Sequence, residues 1–305
     1  MLTTINQEQA IIAGDKFDQF IALVTNGKSA VTARKYKAYL LDFIAWQKGA
    51  GYLKINKAAI KSYLEETKAK GTGSQALRLA AIKALVHEMA DNGLIDNAIA
   101  QGVDHIKGAA YKTKGVRLGN WLDQDAAQRV LFAPDTTNLQ GLRDRAILAI
   151  AIGCGLRRSE LISLKVDHLQ LRQGRPVLID LIGKGNKTRS VPVPRFAYLA
   201  VRQWLEKAEI ADGYIFRRIH KSGAIQDSGM TDQAVYCIIT KYVPAGIAPH
   251  DLRRSFAKLS RQSGGDIMQL SLILGHSSVM ITERYIGEKL DLRNAPNDLI
   301  DLHLL

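Results

Sequence analysis

Four short clusters in this chain hold side chains with chemistry to offer. Pro249 is followed by His250-Asp251-Leu252-Arg253-Arg254-Ser255-Phe256-Ala257. On a helical wheel Leu252, Phe256 and Leu259 share one face, and His250, Arg253 and Ala257 share another. The first face packs, and the second presents an imidazole and a guanidinium together at a helix start, where backbone N–H groups and the macrodipole favour an anion. In Leu274-Gly275-His276-Ser277-Ser278, Gly275 ends one helix, a serine caps the next, and His276 is left in the turn with its ring nitrogens available. Tyr285 follows about two turns further on. Upstream, Gly155-Leu156-Arg157-Arg158-Ser159-Glu160-Leu161 sets Arg157 between a sharp glycine turn and a return to the core through Leu161, Ile162 and Leu164. Lys184 stands between Gly183 and Gly185, where a long cationic side chain reaches a neighbour's charge. Guanidinium groups grip anions, imidazoles carry protons and a phenol is a nucleophile. Taken singly, each cluster also has an ordinary reading: a surface arginine, a helix cap, a turn lysine, a packing tyrosine with a wet hydroxyl.

The elements that must position these groups are legible in outline. Leu142 to Ile152 is almost wholly apolar, hence a buried helix, ending at Gly153 and Gly155. Val177 to Ile182 and Arg189 to Val193 flank a Gly-Lys-Gly-Asn-Lys turn and predict a β-hairpin, the one small antiparallel sheet of a mostly helical region. Helical periodicity recurs over Phe196 to Lys207, Thr231 to Tyr242, Asp251 to Gln262, Asp266 to Leu274 and Ser278 to Tyr285. The first hundred or so residues read as helices with interleaved lysines and arginines: one capped by Ser29, then Asn56 to Lys68, Ser74 to Ala90 and, more weakly, Asp96 to Ile106. Between the two regions periodicity lapses into a basic, glycine-containing stretch. The predicted organisation is a helical domain over 1–108, a linker over 109–119 and a second domain over 120–305.

Composition bounds the class. The 305 residues carry 42 Lys+Arg against 29 Asp+Glu, a formal charge of +13 that suits a polyanionic partner, with nucleic acid the leading candidate. No apolar run spans a bilayer and the N-terminal segment lacks a secretory pattern, so a cytoplasmic protein with no membrane association is expected. Cys154 and Cys237 are far apart, each in an apolar stretch, and both are expected to be small buried hydrophobes rather than disulfide or metal ligands.

In order and together, the four clusters resemble the tyrosine recombinase (phage integrase, Xer-like) family: Gly-Leu-Arg-x-Ser-Glu-Leu, a hairpin lysine, His-x-Leu-Arg, Leu-Gly-His and then a tyrosine. Arg157, Lys184, His250, Arg253, His276 and Tyr285 each match, and Glu160 matches the family's acidic residue. The match is dense over the second domain, whereas the first resembles the family's helical core-binding domain only in size, helicity and charge. The resemblance implies a mainly α fold with a small antiparallel sheet, an N-terminal SAM-like core-binding domain and a C-shaped clamp on duplex DNA. It also implies four protomers on two recombination sites, either identical or shared with a second recombinase, and a C-terminal segment that docks on a neighbour. Leu299, Ile300, Leu302, Leu304 and Leu305 form an apolar tail that fits this role or packs on its own domain.

The set suits phosphodiester exchange without metal or ATP. Two arginines stabilise charge on the non-bridging oxygens, as a metal ion does elsewhere. His276 and His250 add hydrogen bonds, and His250 is the better candidate to help deprotonate Tyr285. By resemblance Lys184 is the general acid for the 5′-oxygen and Glu160 orients Arg157 or His250. A phenol with a pKa near 10 both attacks and leaves, so a 3′-phosphotyrosyl bond conserves the energy of the broken strand. A type IB topoisomerase has a similar pocket, and a DNA-binding regulator would have similar helices and charge. A metal hydrolase on His250 and His276 lacks a carboxylate at ligand spacing.

Overall fold

A computed structural model of the chain describes residues 14–52, 54–107, 120–183, 187–220, 222–276 and 278–286. The chain divides into two compact units, Met1–Lys114 and Gly115–Leu305. The stretch read above as a linker lies outside the described residues, as does the apolar tail.

The first unit contains α1 (Gly14–Thr25), α2 (Ala30–Gly49), α3 (Lys57–Glu66), α4 (Thr72–Asp91) and α5 (Asn97–Asp104). Ser29, Asn56 and Asp96 cap α2, α3 and α5 by accepting from backbone N–H groups of the first turn. Leu40, Phe43, Ile60, Tyr63, Ile82 and Leu85 form the middle of its core, each 0 or 1% exposed. Arg34, Lys35 and Lys37 stay on the solvent side of α2. The helix α1 was not anticipated, and it too contributes to the core through Phe17, Phe20, Ile21 and Val24.

The second unit is built around α7 (Leu139–Cys154), which is buried on nearly all sides because α6 (Gln124–Phe132), α9 (Arg195–Lys207) and α11 (Pro249–Gln262) pack around it. A short α8 (Arg158–Ile162) follows. The anticipated hairpin is present as β2 (Arg175–Ile182) and β3 (Thr188–Pro192), and β1 (Leu169–Arg172) adds a third antiparallel strand in the order β1-β2-β3. Beyond the single sheet expected, β4 (Arg217–Ile219) and β5 (Ile225–Gly229) form a second ladder. Its strands are too short for alternation to be read from sequence. The chain continues through α10 (Asp232–Tyr242), α12 (Ile267–Leu274) and α13 (Val279–Ile286). Leu122 N–H donates to the buried Ser255 Oγ at 2.7 Å, tying the start of this unit to α11.

A small apolar cluster of Phe256, Ala257, Leu270, Leu274 and Ile286 joins α11, α12 and α13. Burying Ile286 contributes about 1.5–3 kcal/mol and anchors the last turn of α13, where Tyr285 lies. Cys154 is buried as expected, but Cys237 is exposed on α10, so the expectation that it is a core residue is wrong. Its neighbours Val235, Ile238 and Ile239 take the packing face, and Cys237 falls on the opposite one. Among the described residues no helix is long and apolar enough to cross a membrane.

Candidate active site

Gly155 closes α7 in the left-handed conformation, φ 58°. Phe256 fills the space where a side chain would be, with its Cδ1 only 2.4 Å from an ideal Cβ, so both backbone and packing demand glycine here. The tight exit delivers Arg157 to the N-cap of α8. The Glu160 carboxylate, 3% exposed, turns back to accept from the Arg157 backbone N–H and from Arg157 Nη1, both at 2.8 Å.

A second arginine, not identified from the sequence, meets the same carboxylate. Arg189 on β3 places Nη1 and Nη2 each 2.8 Å from the two Glu160 oxygens, a bidentate fork. Burial pushes the Glu160 carboxyl up, but the Arg189 fork and the Arg157 N–H and guanidinium outweigh it and hold its pKa at about 2. The signal in sequence was a charged residue just before the core positions of a strand. It has no local pattern that sets it apart from an ordinary edge arginine.

The helix α11 starts at Pro249, with the Asp251 carboxylate accepting the Ala248 N–H at 2.9 Å. The face expected to be free is in fact packed: Arg253 is 2% exposed and Ala257 fully buried. Arg253 Nη1 donates to the Gly155 carbonyl at 2.6 Å, and Nη2 donates to the Leu274 carbonyl. The first of those carbonyls lies two residues before Arg157 and the second two before His276. The end of α7 and the end of α12 are thus pinned to one guanidinium.

Gly275 ends α12 with φ 61°, and His276 follows in the turn, as the sequence suggested. His276 Nδ1 is 2.8 Å from Thr282 Oγ1 on α13, itself fully buried. Burial, together with Arg253, Arg157, Arg189 and His250, lowers the His276 pKa to about 4, so the ring is neutral at pH 7. His250 is also lowered, by the surrounding protein first and then by Arg253, Arg254 and Arg157, with Asp251 opposing.

The structure therefore gathers Arg157, Glu160, His250, Arg253 and His276 into one cluster and adds Arg189. Lys184 lies outside the described residues. Its hairpin is described up to Gly183, whose N–H donates to the Lys187 carbonyl at 2.8 Å. Tyr285 is the penultimate residue of α13, and only its backbone is described. Among the described residues there is no group of three or more His, Cys, Asp or Glu arranged to hold a metal ion.

A helical domain with a small flanking sheet, its arginine cluster gathered where α8, β3, α11 and α12 meet, has the catalytic fold of a tyrosine recombinase. The solved structure of XerH bound to palindromic difH substrate, a post-cleavage complex, shares it at a TM-score of 0.69 with 20% identity, covering 84% of this chain and 76% of that one. A lambda integrase dimer bound to a COC′ core site matches at 0.66 with 16% identity, over 92% of this chain and 98% of the other. Among curated proteins, tyrosine recombinase XerC of Pseudomonas fluorescens (strain Pf-5) is 30% identical over 251 residues, 81% of this chain and 80% of that protein. Tyrosine recombinase XerD of Listeria innocua is 27% identical over 291 residues, 89% and 93%. Residues 120–290 match the model of the phage integrase family. The chain belongs to that family, whose members cleave and rejoin DNA strands.

Proposed function

We propose that this chain is a site-specific recombinase that cuts each strand with Tyr285 and rejoins it through a 3′-phosphotyrosyl intermediate, with Arg157 and Arg253 gripping the scissile phosphate. The observation that carries this is the convergence of the two arginines. Their anchoring groups, Glu160 for one and the Gly155 and Leu274 carbonyls for the other, hold both guanidinium groups at the cluster before any substrate arrives. Preorganised donors of this kind stabilise charge that grows on the non-bridging oxygens without reorganising during the reaction.

His276, neutral at pH 7 with Thr282 at Nδ1, offers an Nε2–H to the same phosphate. His250 helps take the Tyr285 proton, and Lys184 protonates the departing 5′-oxygen. The cationic side chains do the work that a metal ion does in other phosphoryl transfers, and the conserved phosphotyrosyl energy removes the need for ATP. The partner is double-stranded DNA at a defined site, consistent with the net charge of +13. Residues 1–108 are the core-binding domain, 109–119 the linker and 120–305 the catalytic domain. The active assembly is a tetramer of this chain, or of this chain with a second recombinase, acting in the cytoplasm. Tetramer formation on a duplex site separates this reading from a monomeric topoisomerase.

The test is Tyr285→Phe on a nicked duplex that traps the cleaved strand. Binding is retained and the covalent adduct is lost. Undiminished adduct would remove Tyr285 from this role.

A further inference from the structure

Arg189 hydrogen-bonds to two segments that belong to different parts of the cluster. Its fork on Glu160 shares a carboxylate with Arg157. Its Nε donates to the Ile273 carbonyl at 2.7 Å, in the last turn of α12 and three residues before His276. Two glycines give the guanidinium its slot. A Cβ at Gly275 would sit 3.1 Å from Arg189 Cδ and 3.3 Å from Nε, and one at Gly183, where β2 ends, would sit 3.2 Å from Nη1. The side chain is 10% exposed.

We propose that Arg189 is a positioning residue for strand cleavage: by bridging Glu160 to the Ile273 carbonyl, it locks the orientation of the Arg157 guanidinium to the placement of the His276 turn. This rests on the reading above, in which Arg157 and His276 both serve the scissile phosphate. The bridge needs an arginine. Its donors lie in one rigid plane, so a carboxylate and a carbonyl on different segments are satisfied at a fixed mutual geometry, which a single ammonium does not impose. Without the bridge, Arg157 keeps Glu160 and Arg253 keeps Leu274, but the direct link from the Glu160 carboxylate through one guanidinium to the Ile273 carbonyl is lost. The groups that face His276 are Arg253 and His250 from α11, Arg157 from the start of α8, Arg189 from β3 and the Thr282 hydroxyl from α13. The Arg189 charge is one of those keeping the imidazole neutral.

The experiment compares Arg189→Met and Arg189→Lys in the full chain. The DNA probe is a duplex selected by the unmodified protein from a random pool and nicked to trap the adduct. His276 is titrated by NMR in the DNA-free protein, its signal assigned through His276→Asn. Both variants are expected to bind the probe as the unmodified protein does. Single-turnover adduct formation is expected to fall about 100-fold in Arg189→Met, the loss expected when reacting groups shift by about an ångström. Arg189→Lys is expected to stay about tenfold down, because it keeps the charge but not the fork. His276 should titrate higher in Arg189→Met and stay close to its original value in Arg189→Lys. A mere brace for the sheet would lower stability and leave the rate of the folded protein unmoved, which overturns the proposal; a His276 titration unmoved in Arg189→Met would overturn the placement of the guanidinium beside the His276 turn. Should Arg189→Met not fold, Arg189→Lys decides alone: an undiminished rate refutes the role. If the unmodified protein itself gives no Tyr285-dependent adduct, the proposed reaction fails. If it does and the variants match it, only the role of Arg189 fails.

Discussion

Replacing Glu160 by Gln keeps the shape of the carboxylate and removes its charge, leaving the Arg157 and Arg189 guanidinium groups facing each other across a neutral amide. The magnitude follows from the carboxyl's pKa, which the fold lowers from 4.5 to about 2. That difference corresponds to about 3 kcal/mol of stability in neutral solution, undiminished by solvent because the residue is buried. The folded pKa lies below the unfolded one, so the contribution is complete above the unfolded value and is lost as pH falls toward the folded value. The gap between the two proteins should narrow from about 3 kcal/mol at pH 7 to about 2 kcal/mol at pH 3.5, because Gln does not titrate. Urea unfolding measures this directly in a Trp46→Phe background. There Trp121 and Trp204 report only on the second unit, Trp204 being fully buried with its Nε1 donating to the Ile215 carbonyl at 2.7 Å. A gap that stays constant with pH, or widens on acidification, would refute the account of Glu160 as the buried counter-ion of two arginines.

Changing Arg157 or Arg253 to Lys should depress adduct formation on nicked DNA far more than DNA binding, and equal losses would point to a docking role. Arg253→Lys should also lower the thermal midpoint, since it removes donors to the Gly155 and Leu274 carbonyls and a buried unsatisfied group costs about 1–3 kcal/mol each. Gly155→Ala combines a left-handed backbone with a 2.4 Å approach to Phe256, so it should destabilise the second unit by about 3 kcal/mol or more, read by the same urea titration. Strand cleavage should persist in EDTA, and a requirement for added divalent cation would contradict the arginine-based mechanism.

The chemically distinctive residues were legible because their signals are local. A glycine before Arg157, a proline before His250 and a glycine before His276 each mark a helix end or start, and those signals act within a few residues. The order of the clusters along the chain carried the family resemblance, and the matched residues 120–290 agree with it. The helices around them followed from apolar periodicity, which depends only on the spacing of side chains about one axis. Where periodicity had too few residues to act on, as in β1, β4 and β5, the elements went unseen.

What the sequence by itself determined, then, was which groups are available and which short segment presents each. Only the tertiary structure decided that Arg189 meets Glu160 across 29 residues and Ile273 across 84, and that Arg253 is buried against two helix ends instead of lying open on a face. Contacts of that range leave no periodic trace in the chain. They depend on how α7, α11 and α12 pack, and packing is set by the whole core at once.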